Sequence, residues 1–361
     1  MKTISEFLGN LNPVLKLEID FQSFFLEEVT AELEEFMRVM YLLEQFVEAD
    51  SRERASGRGR PAYGERAFFR AFQAKSFFRM LTTADLISRL KSDSNLRAFC
   101  GFRKVPGRST FSRYFGRLAE QEFQQELLRR MTAAAGEIAG RESLSIDSTA
   151  IPGREKAAES RKSGGRTRYP SRKKEKARQI SRSPEKSLGM LPKKCAWGVK
   201  INSQGNRSYW RGYKLHLGVT ERGIPVAMAV TGANVHDSRV AIPLMKIAER
   251  SGVGWRMTLM DSGYDCSEIR EYSGRRHGTV IEPNNRGGVN KSRALTELER
   301  ELYKGRSVVE RSNSHLKDWL LPKAIFSKGC QKVSYELFAS VLNLAAKKII
   351  LAANRPLQNV V

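Results

Sequence analysis

At residue 141 the apolar pattern of this chain changes period, and that change limits what it can fold into. From Glu65 to Gly140 apolar residues follow helical spacing, whereas beyond it short runs of strand length alternate with longer helical segments. LSIDSTAI (144–151), YKLHLGV (213–219), IPVAMAVT (224–231), WRMTLM (255–260) and TVIEP (279–283) read as five strands, and 238–251, 266–274 and 295–320 as helices. Three strands followed by alternating helix and strand predict an α/β layered domain. Its five-stranded mixed sheet is flanked by helices and preceded by an all-helical N-terminal region.

The helical part divides by charge. Residues 1–50 carry three Lys and Arg against eleven Asp and Glu. There Leu26, Val29, Leu33, Phe36, Met40, Leu43 and Val47 form one apolar seam, either packed on its own protein or used as a subunit contact. Residues 51–62 form a Gly/Arg/Pro linker whose RGRP core is either a plain basic linker or a short minor-groove hook. In 51–140, Phe68, Phe69, Phe72, Phe77 and Phe78 supply core. Three short helices follow, at 83–91, at 93–99 and after a Ser109 cap. The third carries Arg108, Arg113 and Arg117 on its polar side, as a groove-reading helix of a helix-turn-helix would, or as a scaffold helix with a basic solvent face would. The α/β domain is placed at 141–330, with a basic insert at 152–200 and a C-terminal helix over 331–361.

A formal charge of +24 on 361 residues attracts polyanions, and nucleic acid is the commonest inside a cell. Ribosomal or membrane-surface proteins can share that total, so its distribution matters more. The insert carries sixteen Lys and Arg against four Glu and reads as a loop ordered mainly by its partner, with Arg172, Lys173, Lys174 and Lys176 as candidate DNA contacts. The longest apolar stretch is broken by Lys347 and Lys348, and the first thirty residues lack the pattern of a signal peptide. The expectation is a cytoplasmic, nucleoid-associated protein with no membrane partner. Cys100, Cys195, Cys266 and Cys330 stand far apart, so a metal must be held by oxygen ligands, which favours hard cations such as Mg²⁺, with Mn²⁺ as a substitute.

Two strands end alike, LSIDS at 144–148 and TLMDS at 258–262. Ligands gather at the carboxyl ends of strands in an α/β sheet, so neighbouring parallel strands would bring Asp147 and Asp261 together. Adjacent carboxylates repel unless a cation neutralises them, and a pair of divalent ions does so while activating a nucleophile. Taken singly, each Asp reads first as a cap on the turn that follows it; taken as a pair, they read first as a cation site. Asn234, His236 and Asp237 form a polar cluster at another strand end. His236 and Asp237 there read either as active-site or helix-capping residues or as purely structural ones, and His216 lies beside the predicted strands. Trp197 and Trp210 flank basic sequence and read as core or as platforms for an unpaired base.

Tyr303, Arg306, Glu310 and Lys317 fall at offsets of 0, 3, 7 and 14, one face of a helix over 295–320. Such a stripe suits metal and phosphate better than core: Arg306 to grip a phosphate bidentately, Lys317 as a point charge, Tyr303 to stack or hydrogen-bond. Its spacing resembles the YREK signature of DDE-type insertion-sequence transposases. SIDSTAI and MDSGYD resemble the segments carrying the first two acids of their triad, and GYKLHLGV (212–219) and the run from Gly223 to Asp237, ending in TGANVHD, their connecting strands. NLRAFCGF and VPGRSTFSRYFGRL resemble their helical N-terminal region, so the likeness covers about 62–350.

That resemblance implies an RNase-H-like catalytic fold, two Mg²⁺ ions held by Asp147, Asp261 and Glu310, and DNA-backbone contacts from Tyr303, Arg306 and Lys317. It implies cleavage at inverted-repeat ends and joining of the 3′-hydroxyl to target DNA by a homodimer or higher oligomer. The rivals are an RNase-H-like nuclease that does not join strands and a non-catalytic DNA-binding descendant. Only 48 residues separate Asp261 from Glu310, too few for the β-rich insertion some relatives carry there.

Overall fold

The change of period at residue 141 is also a change of structure. The computed structural model describes residues 25, 28–47, 63–120, 123–158, 172–201, 204–283 and 294–354. It divides into two units by internal contacts, one helical and one built on a sheet.

The sheet unit, Gly136–His315 with Lys323–Cys330, holds six strands. These are β1 (Ser143–Pro152), β2 (Ala196–Ile201), β3 (Arg207–Thr220), β4 (Pro225–Gly232), β5 (Met257–Met260) and β6 (Gly278–Ile281). They order as β2-β3-β1-β5-β6, with β4 also on β3; β1, β3 and β4 are antiparallel, while β5 and β6 run parallel to β1. Without β2 this is the RNase-H-like sheet, made by the five expected strands. Leu144 and Ile146 on β1 and Leu259 and Met260 on β5 are buried, which is why the central strands read as near-continuous apolar runs. Helix α9 (Ala241–Arg250) packs on β4 and β3 through a buried face that includes Ile242, Leu244, Met245 and Ala248; α10 (Ser267–Gly274) packs beside β6.

The insert is not a loop over its described length. It forms α7 (Arg172–Ser181), α8 (Pro184–Gly189) and the sixth strand, β2. Its partners lie within the unit: Lys246 Nζ donates to the carbonyls of Ile180 at 2.8 Å and Arg182 at 2.7 Å, satisfying the C-terminal end of α7. Arg182 pairs with Glu175 at 2.8 Å, and Gln179 Nε2 donates to the carbonyl of Arg239 at 2.9 Å. Residues 159–171 lie outside the described residues.

The expected single helix over 295–320 is three pieces: α11 (Glu297–Lys304), α12 (Ser307–His315) and a π-helical turn at Leu316–Leu320. Gly305, a weak helix former, marks the first break. Its N–H bonds to Leu302 O at 3.1 Å, that of Arg306 to Tyr303 O at 2.9 Å and that of Val309 to Arg306 O at 3.1 Å, a tight three-residue winding. This winding eclipses Tyr303 and Arg306, and the guanidinium lies 5.5 Å from the Tyr303 ring centroid. Val308 and Val309 are buried as α12 packs against β1 and β3.

The helical unit comprises the described parts of Met1–Ala135, Leu316–Pro322 and Gln331–Val361. Its helices are α1 (Ala31–Glu44), α2 (Glu65–Phe77), α3 (Thr83–Ser92), α4 (Ser94–Cys100), α5 (Arg108–Glu120), α6 (Phe123–Ala135) and α13 (Cys330–Asn354). Aromatic rings fill its core: Phe68 stacks on Tyr114 at 3.9 Å, and Phe36 meets Phe77, Phe78 and Phe99. The apolar seam of α1 is buried within the unit at Leu33, Phe36, Met40 and Leu43. The C-terminal helix α13 joins α2 through Lys75–Glu336 at 2.5 Å, Ser76–Ser340 at 2.8 Å, and Asn343 donating to Gln73 O at 3.2 Å. The RGRP linker lies outside the described residues.

Candidate active site

Ile146 pairs with Met260 across the parallel β1–β5 ladder, so Asp147 and Asp261 are the next residues in step. β5 ends at Met260, and Asp261 caps the turn that follows, its Oδ1 accepting the Gly263 N–H at 2.9 Å. For Asp261 the capping reading and the paired reading therefore both hold. Burial first, and then the charge of Asp261, raise the Asp147 carboxyl to about 6, against the Ser148 backbone N–H and Arg306. Asp261 is raised too, first by burial and then by Asp237 and Glu282, with Arg306 and the Gly263 N–H opposing.

Arg306 is the cation that both acids feel. Its side chain is 15% exposed, and the guanidinium pairs with Glu310, whose side chain is 54% exposed. Burial works against the charge on Arg306, but Tyr303, Glu310, Asp147 and Asp261 outweigh it and hold the group protonated. Glu310 therefore meets the two Asp residues through Arg306. Among the described residues no three His, Cys, Asp or Glu side chains group as a metal-holding set. Tyr303 donates its hydroxyl to Glu282 Oε2 at 3.1 Å.

A fourth carboxylate comes from the polar cluster after β4. Asp237 accepts from Ser148 Oγ at 2.8 Å and from Lys214 Nζ at 2.9 Å, next door to Asp147. Burial opposes its ionisation, yet His216 and Lys214 hold its carboxyl below the usual range. Burial pushes His216 down to about 4, so at neutral pH the charge that matters is that of Lys214. His236 takes the capping role: it precedes the turn Asp237–Arg239, and its Nδ1 accepts from Ser238 N at 3.3 Å.

Sequence reading missed two neighbours of Asp147. Asn313 Nδ2 donates to Asp147 Oδ2 at 3.1 Å, while its own Oδ1 is buried without a partner among the described residues. Tyr264 is buried with its hydroxyl likewise unpartnered, and after burial the charges of Asp237, Asp147 and Asp261 raise its pKa. Asn313 stands three residues after Glu310, so the helical spacing that singled out Glu310 and Lys317 could have found it. Lys214 and His216 alternate within an otherwise apolar strand, which is the signal that was available for the Asp237 network.

The other expected contacts divide. Arg108, Arg113 and Arg117 are exposed on α5; Arg117 also pairs with Glu65 at 3.1 Å. Helix α5 begins at Arg108, so Ser109 is inside the helix instead of capping it. Lys317 is exposed in the π-helical turn, which groups with the helical unit, so the stripe does not run unbroken along one helix. In the insert Lys174 is exposed, whereas Lys176 is buried and unsuited to touch DNA. The side chains of Arg172 and Lys173 lie outside the description.

The residues around Asp147 fit a hard divalent cation. Two adjacent carboxyls have raised pKa values, and a buried carbonyl oxygen on Asn313 lacks a donor. Among the described residues no helix is long and apolar enough to cross a membrane. The family described as “Transposase DDE domain” matches residues 139–342, and one described as “Transposase domain (DUF772)” matches residues 25–117. No curated protein and no solved structure matches the chain.

Proposed function

The chain belongs to the transposase DDE-domain family of insertion sequences, and on that premise we propose that it cuts DNA at the ends of its element and joins the freed 3′-hydroxyls to target DNA. One observation carries the reading. Asp147 and Asp261 stand in step on parallel strands, and Asp147 is raised to about 6 by burial and by its partner, a charge arrangement that calls for a cation.

Asp147, Asp261 and Glu310 would hold divalent ions, Mg²⁺ or Mn²⁺, which supply a polarised phosphate and an attacking oxygen of lowered pKa. Asn313 fixes the Asp147 carboxylate by its hydrogen bond. Asp237, held ionised by Lys214, orients the Ser148 hydroxyl beside it. Arg306 offers a planar fork suited to a phosphate, and a phosphate bound there would compete with Glu310 for the same guanidinium. Tyr303 and Lys317 would contact the backbone near the cut.

In the first step water attacks phosphorus, the P–O3′ bond breaks, and the strand leaves with a 3′-hydroxyl. In the second that 3′-oxygen attacks a target phosphorus and displaces the target's own 3′-oxygen, so one phosphodiester replaces another. Handling two ends in one event calls for at least two copies of the chain. Purified protein with Mg²⁺ and labelled end DNA tests the assignment. Asp147→Ala, Asp261→Ala and Glu310→Ala should each abolish cleavage while end binding persists, and wild-type cleavage by any one of them would overturn it.

A further inference from the structure

β2 and the first residues of β3 form a ribbon that runs past the end of β1. The β1–β3 register stops at Pro152 opposite Gly212, and Arg207–Arg211 continue with β2 alone among the named strands. Opposite residues on an antiparallel pair share a face, so Trp197, Val199, Tyr209 and Arg211 lie together on one side. On that side Trp197 is 59% exposed, Val199 48% and Tyr209 60%. The reverse side is built differently. There Trp210 lies across Gly198, where any side chain would collide with its ring, and its Nε1–H donates to Tyr213 O at 3.2 Å. Trp210 is committed to structure; Trp197 and Tyr209 are presented outward.

The surroundings select among occupants. Leu191–Arg211 contains five Lys and Arg and no Asp or Glu. A second copy of a chain carrying +24 would be repelled by this face, whereas a phosphate backbone would be drawn to it. Duplex DNA offers that backbone but keeps its base faces stacked away. Unpaired bases expose them, and aromatic rings beside basic side chains are what they stack on. Trp197 and Tyr209 occupy a diagonal across the ribbon, a spacing of about 7–8 Å that leaves room for a planar base between them. The ribbon is also tied to the chemistry, since β3 runs from Tyr209 to Leu217, the residue opposite Asp147.

We propose that the exposed face of the β2–β3 ribbon, centred on Trp197 and Tyr209, binds unpaired DNA nucleotides by stacking, as they arise at a cut end. This rests on the reading that the chain acts on DNA. The test compares the full-length wild type with Trp197→Ala, Tyr209→Ala and Trp197→Leu, at fixed salt and without divalent metal. The probes are a mixed-sequence single-stranded oligonucleotide containing 2-aminopurine and a duplex of equal length. Each Ala variant should lose single-strand affinity by about fivefold or more and lose the fluorescence quench of a stacked 2-aminopurine. Duplex affinity and circular dichroism should stay unchanged, and Trp197→Leu, apolar but not aromatic, should fail like Trp197→Ala. Equal losses for duplex and single strand, no loss for either, or a dimer that dissociates on Trp197→Ala in sedimentation would overturn the inference. A wild type that binds neither probe would overturn the functional reading itself.

Discussion

Replacing Asp147 by Asn should make the metal-free protein more stable while ending its chemistry. The Asp147 carboxyl is raised from 3.8 to about 6, first by burial and then by Asp261. At about 1.4 kcal/mol per pKa unit, that rise of about two units means ionised Asp147 costs the folded state about 3 kcal/mol. The folded chain holds this proton more tightly than the unfolded one. The cost is therefore complete above pH 6 and fades as pH falls through 6 toward 3.8. Asn matches Asp in shape, cannot ionise, and keeps an oxygen for the Asn313 amide. Thermal unfolding in EDTA at pH 8 should place the melting temperature of Asp147→Asn several degrees above wild type, at about 2–4 °C per kcal/mol for a unit of this size. At pH 4.5 the gain should shrink to about a third. Saturating Mg²⁺ should narrow the gap at pH 8, because a bound cation stabilises the wild type alone. No gain at pH 8, or the same gain at both pH values, would refute the reasoning.

Three further outcomes are expected. Cleavage should run with Mg²⁺ or Mn²⁺, with Ca²⁺ supporting binding but little chemistry, and undiminished cleavage in excess EDTA would contradict an oxygen-held metal. Lys75→Met should destabilise the helical unit by about 1.5–3 kcal/mol in urea unfolding, because it removes the ammonium that pairs with Glu336, only 12% exposed. Lys75→Met/Glu336→Met should recover most of that loss. Arg113→Ala should reduce the preference for element ends over scrambled DNA by about 1–3 kcal/mol at fixed salt if α5 reads a groove; an unchanged ratio would leave α5 a scaffold.

What the sequence disclosed follows from what its pattern can carry. The five RNase-H-like strands were legible because those central to the sheet are buried on both faces and read as apolar runs. β2 was not, because AWGVKI sits among lysines and presents Trp197 and Val199 to solvent. Asp147 and Asp261 stood out as twin stops to apolar runs; Asp261 does follow the end of β5, whereas Asp147 lies within β1, just past its last pairing with β5. The stripe from Tyr303 to Lys317 assumed one helix of constant period, and Gly305 and the π-helical turn break that period twice. Asn313 lay within reach of the helical spacing from Glu310, but its bond to Asp147, 166 positions away, and the burial of Tyr264 are tertiary facts that spacing does not report. The pairing of Arg306 with Glu310 is local, four residues apart, but the balance Arg306 also strikes with Asp147 and Asp261 is tertiary and invisible in a list of residue types.

Joined product tests the central claim most directly. Purified chain, Mg²⁺, DNA bearing both ends of its element and a supercoiled target would be incubated and resolved on a denaturing gel, with junctions sequenced. The account predicts element 3′ ends covalently linked to target strands, dependent on Asp147, Asp261 and Glu310. Hydrolysed ends that accumulate with no joined strand, under conditions where wild type binds and cuts, would contradict it.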